Sequence, residues 1–249
     1  MSPYRVGLIV PSSNTTMETE LPELLRRHAS ARFTFHSSRA VLHTVDPGSL
    51  REMVDQVDRC SAEIADADVD VIAYACLIAI AAQGRKAHEE AEARISDGAG
   101  RAGCTAPVTS SAGALVRGIE ALGVSRVAMI TPYVKHLTQC LVDYVGDYGI
   151  TVTDSLSLEV DDNLAVGRLD PAQLLGHAGR LNLGDAQAVV LSACVQMPSL
   201  PVVEAVEDQL GLPVLTAATA TTREVLCSLG LDPVIPGGGA LLRGTAPAS

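Results

Sequence analysis

Two cysteines, Cys76 and Cys194, end two apolar runs, Val71-Ile72-Ala73-Tyr74-Ala75 and Val189-Val190-Leu191-Ser192-Ala193. A thiolate is a nucleophile and a thiol can hand on a proton, so a matched pair can add to a substrate or shuttle protons. Cys76 is followed by Leu77-Ile78-Ala79 and Cys194 by Val195-Gln196-Met197 before Pro198, each reading as a loop or helix start. Free backbone N–H groups there favour a thiolate. The other four cysteines lack this symmetry: Cys60, Cys140 and Cys227 fall within helical stretches and Cys104 in a loop. All four are read as non-catalytic. No cysteine belongs to a C-x-x-C pair and no histidines pair at i, i+4, so a zinc or other metal site is not expected.

Three polar segments share the strand-end edge with the cysteines. Pro11-Ser12-Ser13-Asn14-Thr15-Thr16 offers hydroxyl, amide and N–H donors that suit a carboxylate. Asn14 leads among them, with Ser12 and Thr15 as further candidates. Its counterpart, Pro132-Tyr133-Val134-Lys135-His136, places the Tyr133 phenol at a strand end. Asp161-Asp162-Asn163 forms the third.

The elements that must position these residues alternate β-rich and helical runs. Strands are expected over Arg5–Val10, Phe33–Ser38, Val69–Ala75, Ala106–Thr109, Arg126–Thr131, Ile150–Leu158, Ala188–Ser192 and Pro213–Thr216. Helices are expected over Glu18–His28, Ser49–Ala65, Gly84–Ile95, Ala114–Leu122, Leu137–Tyr148, Pro171–Leu181, Pro201–Leu210 and Thr221–Leu229. Continuous apolar strands suit a parallel sheet covered on both faces. The pattern also repeats. Arg5-Val6-Gly7-Leu8-Ile9-Val10-Pro11 resembles Arg126-Val127-Ala128-Met129-Ile130-Thr131-Pro132, and Val45-Asp46-Pro47 with Leu50 resembles Leu169-Asp170-Pro171 with Leu174. The two cysteine strands match, as do Pro107-Val108 and Pro213-Val214. The expected fold is therefore α/β: two pseudo-symmetric Rossmann-like or flavodoxin-like halves, each a four-stranded parallel sheet, with ligands bound in the cleft between them at the carboxyl ends of the strands. Two glycine clusters carry no nucleotide signal. Gly98-Ala99-Gly100-Arg101-Ala102-Gly103 follows a helix and precedes a strand, the reverse of the dinucleotide fingerprint, and is read as a loop. Gly237-Gly238-Gly239 lacks a P-loop Lys-Ser/Thr and is read as a turn.

Composition narrows the function further. The 249 residues carry 29 Asp+Glu against 18 Lys+Arg, a net charge of -11, with no basic run, which argues against nucleic acid. The longest uncharged apolar run, Val71 to Ala82, is too short to span a bilayer, and the N-terminus reads as a strand, not an export signal. A cytoplasmic location is expected, with the six cysteines as thiols.

The motifs Val10-Pro11-Ser12-Ser13-Asn14-Thr15, Tyr74-Ala75-Cys76-Leu77, Thr131-Pro132-Tyr133 and Leu191-Ser192-Ala193-Cys194-Val195-Gln196 resemble the Asp/Glu racemase superfamily, and within it the maleate cis–trans isomerases, over essentially the whole chain. The residues after the cysteines differ from the Cys-Asn-Thr/Ser and Cys-Thr of amino-acid racemases, and arylmalonate decarboxylases keep only the second cysteine. The resemblance implies conversion of maleate to fumarate without a cofactor. Cys76 would be the nucleophile, forming a succinyl-type thioether, and Cys194 the proton donor. Asn14, the backbones of Leu77 and Ile78, and Tyr133 would receive one carboxylate. Asn163 with the Val195 and Gln196 backbones would hold the other. It further implies a homodimer, and a C-terminal helix that returns to the first half, giving domains of residues 1–111 plus 221–249 and 112–220. The two crossings would fall near Thr109–Gly113 and Thr216–Thr221. Only Lys135 and His136 bring positive charge near these loops, so N–H dipoles and neutral donors must do most of the binding. A racemase or decarboxylase of the same superfamily, using the thiols as acid and base, and a two-lobed dicarboxylate-binding protein remain the competing readings.

Overall fold

Each half begins with an apolar strand and threads three more through helical crossovers. The structure, a computed structural model, describes residues 2–42, 44 and 46–244. Val45 of the repeated Val45-Asp46-Pro47 motif, Met1 and residues 245–249 of the expected domain boundaries lie outside them. The first half contains β1 (Tyr4–Pro11), α1 (Met17–Arg26), β2 (Phe33–Ala40), α2 (Pro47–Asp55), α3 (Val57–Ala65), β3 (Val71–Tyr74), α4 (Leu77–Ala81), α5 (Ala87–Arg101), β4 (Val108–Ser110) and α6 (Ser111–Ala121). The second contains β5 (Arg126–Thr131), α7 (Lys135–Gly146), β6 (Thr151–Ser157), α8 (Asn163–Val166), α9 (Gln173–Ala178), β7 (Ala188–Ser192), α10 (Val203–Leu210), β8 (Val214–Thr216) and α11 (Ala217–Ser228).

The two sheets are parallel and share one topology, β2-β1-β3-β4 and β6-β5-β7-β8. The central strands β3 and β7 are buried along their whole length, whereas the edge strands β2 and β6 are mostly half-exposed. That difference is the one expected when helices cover both faces of the middle of a parallel sheet. The sequence repeat is thus a structural repeat. Pro11 and Pro132 lie at the ends of equivalent first strands, and Cys76 and Cys194 lie just beyond equivalent third strands.

Beyond two short helices that were not expected, α4 and α8, the helices depart from expectation in three places, each for a local reason. The stretch expected as one helix over Ser49–Ala65 is two, α2 and α3, meeting at Gln56. There the Gln56 side chain turns back to bond the Val41 backbone on both its carbonyl and its amide side. The Gly98–Gly103 segment is not a loop throughout, because α5 continues to Arg101. Gly98 is needed for packing: a Cβ there would sit 3.0 Å from the Ser61 Cβ on α3. Third, α6 and α11 begin directly after their strands, at Ser111 and Ala217, several residues earlier than expected. The Ser110 hydroxyl accepts the Gly113 N–H, and Thr216 and Thr219 form a reciprocal capping box. The crossings expected near Thr109–Gly113 and Thr216–Thr221 are therefore strand-to-helix junctions. α11 packs on α6 and also on α1, β3 and β4 of the first half.

Candidate active site

One cavity between the carboxyl ends of the two sheets is lined by Pro11, Asn14, Leu42, Ala75, Cys76, Leu77, Ile78, Tyr133, Asn163, Cys194, Val195 and Gln196. The cysteine pair, Asn14, Leu77, Ile78, Tyr133, Asn163, Val195 and Gln196 are brought together as the sequence reading expects. Ser12 and Thr15 are not in it. The Ser12 hydroxyl is engaged with the Leu42 backbone, accepting its N–H at 3.0 Å, and Thr15 faces an outer cleft beside α1.

Each donor is fixed by a local contact. Asn14 accepts the Met17 N–H on its Oδ1 at 3.0 Å, which caps the start of α1 and leaves the amide N–H₂ for the cavity. The carbonyls of Ser12 and Asn14 receive the Arg39 guanidinium at 2.9 and 2.7 Å, and Arg39 also pairs with Glu18. This arginine, on an edge strand, neutralises the outward carbonyls of the loop without entering the cavity. Leu77 and Ile78 open α4, so their N–H groups have no intrahelical acceptor. Asp162 caps α8 and places Asn163 facing the first half, where its amide donates to the Ser13 hydroxyl at 2.5 Å. Gln196 donates to the Ser13 carbonyl at 3.3 Å and to the Asn163 carbonyl. Its amide hydrogens are thereby used in tying the halves together, so its backbone N–H is what remains for chemistry. Ser13 was missed in sequence because it is one of several neighbouring hydroxyls with no distinguishing spacing. Lys135 is mostly exposed and pairs with Glu159.

The thiols differ in their surroundings. Burial pushes the Cys76 thiol up to about 12, against a single N–H donor, that of Ala79. Burial also raises Cys194, but the Tyr133 hydroxyl and the N–H groups of Gln196 and Met197 oppose it. The expected bias of both strand ends toward thiolate is thus overridden by desolvation in the closed cavity. Burial likewise holds Tyr133 well above its ordinary value, so it is a neutral donor. All six cysteines are free thiols. Among the described residues no cluster of three or more His, Cys, Asp or Glu could hold a metal, and no helix is long and apolar enough to cross a membrane.

A doubled α/β fold with two facing thiols in the interlobe cavity defines a cysteine-dependent enzyme of the racemase–decarboxylase–isomerase type. The arylmalonate decarboxylase family matches residues 6–242. The maleate isomerase of Geobacillus stearothermophilus is 51% identical over 245 residues, covering 97% of this chain and 98% of that protein. A Cys-to-Ala variant of the Pseudomonas putida S16 maleate isomerase, crystallised with maleate, superposes with a TM-score of 0.96 at 47% identity, covering 98% of this chain and 99% of that one. A Cys-to-Ser mutant of the Nocardia farcinica maleate cis–trans isomerase, with a covalently bound succinylcysteine intermediate, gives 0.96 at 46%, covering 98% and 100%. The chain belongs to the maleate isomerase family.

Proposed function

We propose that this chain isomerises maleate to fumarate without a cofactor, with Cys76 as nucleophile and Cys194 as proton donor. The observation that carries the reading is the pair of unequal thiols facing one cavity. The Cys76 thiolate adds to one alkene carbon, forming a C–S bond as the π pair moves to the other carbon and its carboxylate. The charge that develops there meets the Asn14 amide, the Leu77 and Ile78 N–H groups and the Tyr133 hydroxyl, as in an oxyanion hole. Cys194 gives its proton to the second carbon. The former double bond is now single and rotates. The Cys194 thiolate then removes the proton, the C=C bond reforms, and the C–S bond breaks to release fumarate. Asn163 with the Val195 and Gln196 backbones receives the second carboxylate.

The unequal donor sets suit this division. Three donors stabilise the Cys194 anion, which makes Cys194 the better acid. One donor serves Cys76, and a less stabilised thiolate is intrinsically more nucleophilic. In the singly ionised pair the charge rests mainly on Cys194, and the reactive tautomer moves it to Cys76. The succinylcysteine trapped in the Nocardia farcinica Cys-to-Ser mutant supports addition by one cysteine when another is absent. The cavity also disfavours an amino-acid racemase, since its lining carries no Asp or Glu to meet an α-ammonium group. At about 20 Å³ the space holds roughly one water molecule, so a dicarboxylate enters only when the loops or the two lobes part. We take residues 1–111 with 221–249 and residues 112–220 as those lobes. A thiol-preserving cytoplasmic setting suits both cysteines.

The protein mixed with maleate should yield fumarate by NMR with no added cofactor or metal. Absence of turnover at high protein concentration overturns the reading. Cys76→Ala should be inactive and take up no substrate mass. Cys194→Ser should retain a covalent adduct of one substrate molecule.

A further inference from the structure

The Cys194 turn is held from two sides. On the upstream side the Ser192 hydroxyl bonds the carbonyls of Cys194 and Met197 at 2.9 and 3.2 Å, and the Met197 N–H returns to the Cys194 carbonyl at 3.1 Å. On the downstream side the chain reaches Ser199 and Leu200, at the start of the helical segment leading into α10. The free N–H groups of that start need an acceptor. It comes from the other half of the molecule. Glu20, in α1, accepts the Ser199 N–H at 2.6 Å and the Leu200 N–H at 2.7 Å on one carboxylate oxygen, and the Ser199 hydroxyl at 3.3 Å on the other. Glu20 is 7% exposed, and none of its bonds is to an Arg or Lys. Burial raises its carboxyl, and the N–H groups of Leu200 and Ser199 and the Ser199 hydroxyl draw it back. A buried carboxylate without a cation is costly, so its position has a reason beyond surface charge.

We propose that Glu20 is a positioning residue for Cys194: by clamping Ser199 and Leu200 to α1, it fixes the turn from Cys194 to Met197, closed by the Met197 N–H on the Cys194 carbonyl, and with it the place of the Cys194 thiol. The same helix α1 is capped by Asn14, so one rigid element sets the distance between the Asn14 donor and the Cys194 acid. The clamp has a chemical role only if Cys194 is the proton donor, so the proposal rests on the isomerase reading above. Removing the carboxylate frees the 197–200 segment, weakens the N–H donors to the sulfur and makes Cys194 a weaker acid.

The test uses Glu20→Ala, Glu20→Asp and Glu20→Gln in the full-length protein. In the otherwise intact enzyme, Glu20→Ala and Glu20→Asp should lower kcat by about tenfold or more with KM nearly constant, the loss expected when a catalytic group is displaced by a fraction of an ångström. Glu20→Gln keeps an oxygen for both N–H groups and should recover most of the rate. In a Cys76→Ser background, the rate at which iodoacetamide labels Cys194, read by peptide mass, is followed across roughly pH 7 to 11, reaching above the ordinary thiol range, and the relative rate at a fixed pH is compared where the midpoint lies beyond it. The labelling midpoint should move upward in Glu20→Ala and Glu20→Asp and stay near wild type in Glu20→Gln. A folded Glu20→Ala or Glu20→Asp protein with an unmoved midpoint overturns the proposal, whatever its kcat. If Glu20→Ala does not fold, Glu20→Asp decides the matter. Failure of the isomerase reading looks different: the unaltered protein would not turn over maleate, while the labelling arm would still report on the clamp.

Discussion

The buried thiols determine how the reaction responds to pH. Both cysteines are pushed upward by burial, Cys76 to about 12 and Cys194 against the opposition of three donors, so the pair is largely protonated at neutral pH. A raised thiol releases its proton only as pH climbs, and the singly ionised pair that starts the addition grows with it. Maleate is already a dianion at pH 7, so its own titration adds nothing above that. We expect kcat/KM to rise by about tenfold per pH unit from neutral toward the first ionisation of the pair. Tyr133→Phe removes the hydroxyl donor to Cys194 and should displace this limb to higher pH. A profile flat between roughly pH 7 and 9 would show that an ionised thiol is already present in the resting enzyme. The cysteine positions were legible in sequence because each closes a repeated apolar run, two residues past a buried strand. Their protonation was not, since desolvation depends on what covers the strand end.

At the scale of elements, the local code was readable wherever apolar runs or caps carry it. Arg126–Thr131 and Ala188–Ser192 come out with the expected bounds because both are continuous buried strands. The early starts of α6 and α11 were missed because runs of Ser, Ala and Thr read as loop until their capping bonds are seen. Partners distant in sequence leave no pattern at all, which is why nothing in the sequence singles out Glu20 or Arg39. Gly113 is another such case. It lies in the first turn of α6, and a Cβ there would meet Glu92 Oε1 and His88 Cδ2 at 2.7 Å and Arg117 Nη1 at 2.9 Å. Glu92 in turn accepts the Ser110 N–H and hydroxyl at 2.8 and 2.7 Å and the Arg117 guanidinium at 3.2 Å. Gly113→Ala should therefore cost about 1–3 kcal/mol through overpacking. Gly176→Ala, in exposed α9 with nothing within 4 Å of the new Cβ, should instead be neutral or stabilise by about 0.5–1 kcal/mol. Urea unfolding midpoints at unchanged m separate the two. A Gly113→Ala protein as stable as the parent would mean that the Glu92–His88–Arg117 group yields without cost.

For the whole molecule, the decisive feature is that polar contacts join the two halves at separate places. On the α1 flank, Ser13 holds Asn163 and Gln196, and Glu20 holds Ser199 and Leu200. Separately, His88 Nδ1 lies 2.6 Å from the Tyr144 hydroxyl, joining α5 of the first half to α7 of the second. Tyr144 and Tyr148 both pack against the His88 ring. Burial lowers the His88 imidazole below its ordinary value. Glu92, Glu89 and Glu120 pull it upward, and Arg117 adds to the lowering. A histidine depressed in the folded state is held neutral there. As pH falls, the unfolded chain takes up the proton first, so the contribution is complete above the unfolded value of about 6.5 and is lost as pH falls through the folded one. The stability advantage of the parent over His88→Gln should accordingly be largest above neutrality and shrink toward pH 5. Thermal unfolding of both proteins across that range measures it. A constant difference in Tm would show that His88 carries no proton-linked stability. Because the His88 contact and the Glu20 clamp share no residue, the two can be loosened independently. Acid should weaken the His88 side while Glu20→Ala weakens the other.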